Sequence, residues 1–166
     1  MKALSTIGYE GAQIDAFVYT LGAAGVELVI DVRDVASSRR PGFSKNAFRE
    51  HLALAGIEYV HLRNLGDPKE GREAMRRGDH VAFERIFRTH LASDVAQGQL
   101  DEAIRIASEN SVVLLCYERD PKHCHRSIVA NEMAQQSAFA IRHLGVQSER
   151  RIATAKATAS ENVRVR

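Results

Sequence analysis

The chain has 166 residues, enough for one domain with a sizeable core, and its 45% hydrophobic and 27% charged content is ordinary for a globular protein. It contains no apolar run long enough to span a bilayer, and its start, MKALSTIGYEG, lacks an apolar leader, so a cytoplasmic protein without a membrane partner is expected. Two cysteines exclude a disulfide framework, and the net charge of +2 excludes a strongly basic body.

Taken in chain order, LSTIGY (4–9) predicts a first strand ending at Gly8. Ile14, Phe17, Val18 and Leu21 follow at helical spacing, with Gly25 as the stop. The short apolar run ELVIDVR (27–33) predicts a buried parallel strand. Ser44 is placed to cap a helix that buries Phe48, Leu52 and Ala55 and stops at Gly56. IEYVHL (57–62) is a third strand. Helical faces then recur at Phe83, Ile86, Phe87 and His90, and at Leu100, Ala103, Ile104 and Ala107. SVVLLCY (111–117) is a fourth strand, followed by a helix over about 122–137 and a short fifth strand at 140–145. Residues 148–166 carry a net +3 and are expected as a basic tail, loosely ordered or forming an arm, beyond a domain covering 1–147.

Alternating strands and helices predict a Rossmann-like, single-domain three-layer α/β sandwich with a mostly parallel sheet of four to five strands. Ligands of such sheets bind outside the carboxyl ends of the strands. Those ends carry Gly8, Tyr9 and Glu10; Asp31 and Arg33; His61 and Arg63; Cys116, Tyr117 and Glu118. Ionisable groups therefore collect where the rule puts a pocket.

Four stretches bear chemistry. In LLCYERDPKHCHRS (114–127), Asp120-Pro121 is a strong helix start, which puts Cys124 and His125 at the end of the first turn, facing Cys116. That helix end and Arg126 favour an anion, either a thiolate or a ligand. A cysteine-phosphatase loop is excluded, since Lys122 and Ala130 stand six beyond the two cysteines, and a rhodanese-type loop lacks its small residues. Walker and glycine-rich dinucleotide loops are absent. Cys116, Cys124, His125 and His61 could supply four zinc ligands, but there is no Cys-x-x-Cys knuckle. The simpler alternative is that both cysteines are small buried hydrophobes and that Arg126 pairs with Glu118 or Asp31.

In DVRDVASSRRPGFSK (31–45), Asp31 and Arg33 share a strand face, and residues 33–45 carry +3 from Arg33, Arg39, Arg40 and Lys45 against Asp34. Such a loop clamps phosphate or is merely a solvated basic loop. In TIGYEG (6–11), Gly8 permits positive φ or close approach of a ligand, with Tyr9 at the mouth. HLRNLGDP (61–68) is a polar exit from the third strand, and His61 alone reads better as a core histidine than as a catalyst.

Together, TIGYEG, GVELVIDVRDVASSRRPGFSK, GIEYVHLRNLG and LLCYERDPKHCHRS resemble the bacterial and archaeal family called domain of unknown function 488, over about residues 4–145. The resemblance implies an α/β fold and assigns no reaction. It singles out Gly8, Asp31, Arg33, Arg39, Phe43, Lys45, Leu65, Gly66, Cys116, Glu118, Cys124, His125 and Arg126, while Tyr9 and Glu10 stand where many members have His and Ser.

The leading expectation is an enzyme acting on a phosphate-bearing, nucleotide or nucleic-acid substrate. Cys124 is the candidate nucleophile, His125 its partner, and Asp31 or Glu118 the base or orienter. Gly8, Tyr9, Arg33, Arg39, Arg40, Lys45 and Arg126 are the candidate anion-binding groups. The alternatives are a non-catalytic nucleic-acid-binding or regulatory module, and a metal or redox sensor built on Cys116, Cys124 and His125. No cofactor or oligomeric state follows from the residues.

Overall fold

A computed structural model describes residues 1–164; the last two residues of the expected tail lie outside the described residues. Five strands form one parallel sheet in the order β3-β2-β4-β1-β5: β1 is Lys2–Gly8, β2 Leu28–Asp31, β3 Glu58–His61, β4 Val112–Cys116 and β5 Phe139–His143. The middle strands are apolar on both sides because helices cover both faces; Val29, Ile30, Val113, Leu114 and Leu115 are fully buried.

One face is covered by α1 (Ile14–Ala23) and α2 (Lys45–Leu54). Its core joins Ile7, Val29 and Leu115 to Phe17, Phe43, Phe48 and Leu52. Phe43 stacks on Tyr9, with ring centroids 4.6 Å apart, and meets Phe17 and Phe48 at 5.3 and 5.7 Å. Each of these fully buried rings contributes about 1.5–3 kcal/mol by leaving water. The other face is covered by α3 (Lys69–Arg76), α4 (His80–Leu91), α5 (Asp94–Glu109) and α6 (His125–Gln136), around Leu4, Ile30, Leu114, Phe87, Leu100 and Met133. α7 (Glu149–Arg164) follows β5 and touches α1, so most of the expected tail is helical. These layers are the predicted three-layer α/β sandwich.

Local details differ from the sequence expectations. The helix expected over 122–137 is split. Asp120 caps only a single 3-10 turn, Pro121–His123, through a 2.9 Å bond from Lys122 N–H. Cys124 is then extended, with φ −140° and ψ 138°, and α6 starts at His125. Cys124 is thus the N-cap, accepting at Sγ from Arg126 N–H at 3.4 Å, rather than a residue of the first turn. Ser44 stands at the N-cap of α2, but its hydroxyl is spent on the backbone of Ser38, closing the 38–44 loop. α3 has no counterpart among the predicted elements.

The register aligns the functional ends. Gly8 pairs with Cys116, Asp31 with Leu115 and Asp31 with His61, so β1, β4, β2 and β3 stop at one level. β2 sends its chain through α2 out to β3, while its neighbour β4 sends its chain through α6 the other way to β5. Connections diverging from adjacent strands open a crevice between them.

Candidate functional site

Two side-chain clusters straddle that edge, one per face of the sheet. On the α1/α2 face, Asp31 is fully buried and receives Arg33 Nε at 2.9 Å, Arg33 Nη2 at 2.6 Å and the Tyr59 hydroxyl at 2.6 Å. Arg33 Nη1 donates to Tyr9 Oη and to the Phe43 carbonyl. Burial opposes the charge on Arg33, but the Asp31 carboxylate outweighs it and holds the guanidinium above its ordinary range. Burial, then the same carboxylate, pushes the Tyr59 hydroxyl up.

On the α6 face, Arg126 is fully buried. Its guanidinium donates to Thr6 Oγ1 at 3.2 Å, to Cys116 Sγ at 2.8 Å and to the carbonyls of Glu118 and Arg119. It forms no ion pair with Glu118 or Asp31. The Cys124 thiol donates to Glu118 Oε2 at 3.1 Å. Burial above all, then Cys116 and the Glu118 charge, pushes that thiol well up, so it stays protonated. Burial would also raise Glu118, but the neighbouring His125 ring and the bond from Cys124 overcome it and keep the carboxylate below its ordinary range. His125 Nε2 lies 2.7 Å from the Val32 carbonyl and must donate to it, which leaves Nδ1 as the lone-pair nitrogen, 4.0 Å from Cys124 Sγ. Burial holds this imidazole neutral.

Gly8 belongs to the same assembly. A Cβ there would lie 1.7 Å from the Glu118 carbonyl oxygen, so its bare face admits the exit of β4. That close approach is to backbone, and Gly8 has no positive φ.

Between the clusters lies a cleft of about 760 Å³. Arg39, Arg40 and Pro41 form one wall, and Arg72, Met75 and Arg76 of α3 form another. Tyr9, Tyr117, Arg33, Glu118, His125 and Asp67 complete the lining. Arg72 is tied to Asp34 at 2.8 Å and to the Asp67 carbonyl at 2.6 Å, and Arg40 Nε donates to the Ala12 carbonyl. Arg39 and Arg76 are exposed and form no ion pair among the described residues.

The cleft thus brings together Tyr9, Arg33, Arg39, Arg40, Glu118 and His125 of the expected set. Asp31 lies beneath it, buried against Arg33. Lys45 is exposed at the start of α2 and outside the lining, and His61 Nε2 donates to the Arg33 carbonyl at 2.6 Å. Cys124 borders a separate pocket with His80, His123 and His143.

The chain carries the sequence signature of one family through this region. The family model for domain of unknown function DUF488 matches residues 13–133, well over half of the chain. The chain belongs to the DUF488 family. The match runs from just before α1 into α6, so in this DUF488 chain it covers every cleft residue except Tyr9. Neither the curated proteins nor the solved structures compared with it contain a match.

Cys116 Sγ, Cys124 Sγ and a Glu118 oxygen lie within 4.8 Å of one another, a spacing that would suit a metal ion. The surroundings do not fit one. Arg126 delivers a buried positive charge to Cys116 Sγ, and a cation there would be repelled.

Sequence reasoning missed Asp67. It lies in the HLRNLGDP stretch, and Asp before Pro reads as a turn or cap. In the fold it is 7% exposed on the cleft lining, and its Oδ1 has no hydrogen-bond partner. The one local signal is Gly71, a helical turn further on: a Cβ there would lie 1.9 Å from Asp67 Oδ1.

Proposed function

We propose that this DUF488 protein is an enzyme acting on a phosphate-bearing anionic substrate held in the cleft at the carboxyl ends of the strands. One observation carries the reading: two arginines without an acidic partner among the described residues, Arg39 and Arg76, line the cleft that contains the ionised carboxylate of Glu118. Arginine offers planar, paired donors that match phosphate oxygens. Arg33 and Arg126 support the site differently, as buried struts that fix the exits of β2 and β4. Glu118 acts as the base, and the Cys124 thiol orients it through Oε2. A nucleophilic Cys124 is less favoured, because its thiol is protonated and borders the other pocket.

The test is calorimetric titration with nucleoside mono- and diphosphates and with a short 5′-phosphorylated oligonucleotide. The small phosphates should bind, and Arg39→Ala with Arg76→Ala should weaken binding by about 10²-fold or more, as expected for two charge-assisted contacts. Binding unchanged in the double variant, or no binding of any phosphate compound at millimolar concentration, refutes the reading. Binding confined to the oligonucleotide would transfer it to a nucleic-acid end.

A further inference from the structure

We propose that Asp67 is the proton donor of the cleft, working with Glu118 as base, so that the reaction is the hydrolysis of an anionic substrate whose leaving oxygen or nitrogen must take up a proton. The inference deepens the reading above and rests on it.

The geometry comes first. Asp67 Oδ1 is the one buried side-chain polar atom without a hydrogen-bond partner among the described residues. Buried polar groups are nearly always satisfied, and a carboxyl oxygen shut away from both water and donors favours the uncharged acid. Oδ1 is sealed over Gly71, where any larger residue would collide with it. A carboxylate so poorly supported is costly, whereas a neutral acid with its hydrogen on Oδ2 is tolerated.

The charged groups around Asp67 come from three elements. Arg72 on α3 favours its ionised form, while Asp34 after β2 and Glu118 after β4 oppose it. Arg72 already serves Asp34 and the Asp67 backbone carbonyl. Burial is the largest influence, and the carboxyl is pushed up to about 7. Glu118 is displaced the opposite way by His125 and Cys124. Two carboxyls in one cleft with environments that push their ionisation apart form an acid and a base. His125 is no rival as acid, since burial holds it neutral.

The proton balance closes without a further reagent. Glu118 takes a proton from water as the water oxygen bonds to the electrophilic centre. The bond from that centre to the leaving atom breaks, and the leaving atom takes the Asp67 proton. One substrate and one water give two products, and the proton on Glu118 returns to Asp67 through solvent. Arg39 and Arg76 hold the anionic part throughout.

The experiment uses the full chain with carbon-13-labelled carboxyls and follows each aspartate by NMR from pH 3 to 9. Asp67→Asn assigns the signal. Should that variant not fold, Gly71→Ala, which drives a methyl group into Oδ1, assigns it by displacement. Sulfate is the probe, since its charge is constant over this range, and the arginine side-chain signals report whether it binds. The expected result is a midpoint near neutrality that rises by about one unit or more when sulfate binds, as a nearby negative charge requires. Sulfate binding with Asp67 titrating in the ordinary aspartate range, or unmoved, overturns this inference and leaves the anion cleft standing. No sulfate binding and no response at Arg39 or Arg76 removes the anion cleft and this inference with it.

Discussion

The assignment of Arg33 as a buried strut can be tested through its pairing with Asp31. Asp31 is fully buried and Arg33 is 5% exposed. The carboxylate accepts two guanidinium nitrogens, the Arg33 backbone N–H at 3.1 Å and the Tyr59 hydroxyl. Asp31→Asn turns one acceptor into a donor facing donors and leaves a buried guanidinium uncompensated, at a cost of about 3–5 kcal/mol. Arg33→Met leaves the carboxylate with Tyr59 and one backbone N–H, at a similar cost. For a chain of this size each loss lowers Tm by roughly 10 °C. The double variant carries neither buried charge, so its cost should fall short of the sum by about 2–4 kcal/mol. Urea unfolding followed by far-ultraviolet circular dichroism measures all four proteins, with a constant m-value as the check on comparability. Costs that add within about 0.5 kcal/mol would mean that the two charges are not coupled, and the strut argument would fail.

Two further outcomes follow from the same electrostatics. Asp67 ionises near 3.8 when unfolded but near 7 in the fold, so between those values the folded chain binds more protons and stability falls as pH rises. Asp67→Asn should therefore be about 2–4 kcal/mol more stable than the parent at pH 8 and gain nothing near pH 3.5; urea midpoints showing an equal change at both would refute the window. Cys116 and Cys124 are 0% and 3% exposed, and the Cys124 thiol is protonated, so iodoacetamide at pH 7 should label the native protein at least about 100-fold more slowly than the urea-unfolded chain. Stoichiometric labelling of native Cys124, read by mass spectrometry, would restore it as a nucleophile.

Much of the fold was legible in the chain. Apolar runs at 27–33 and 111–117 and the helical spacing of Ile14, Phe17 and Leu21 specify their elements locally, because a parallel strand covered on both faces needs continuous apolar residues and a half-buried helix needs one stripe. Their alternation also specifies a parallel sheet, and with it the edge at which Tyr9, Arg33, Glu118 and His125 meet. α3 was missed because Lys69–Arg76 is short and mostly charged, and the face it buries carries only small residues, Gly71 and Ala74, with no large apolar side chain to mark it.

The site was legible in residue types and much less so in roles. The same arginine reads alike in sequence whether it is exposed, as Arg39 is, or fully buried, as Arg126 is. Arg33 meets Asp31 through a two-residue spacing that the sequence already shows, but only tertiary packing decides that the pair is buried beneath the cleft while Arg39 is exposed above it with no ion pair among the described residues. The role of Asp67 is likewise a product of assembly. An aspartate before proline is an ordinary turn residue until α3, Asp34 and Glu118 close around it, and desolvation by distant segments leaves no mark in local sequence. Local pattern determined the strands and most of the helices of this protein. Which ionisable groups lose water, and which keep a free partner for a ligand, was decided only by the tertiary structure.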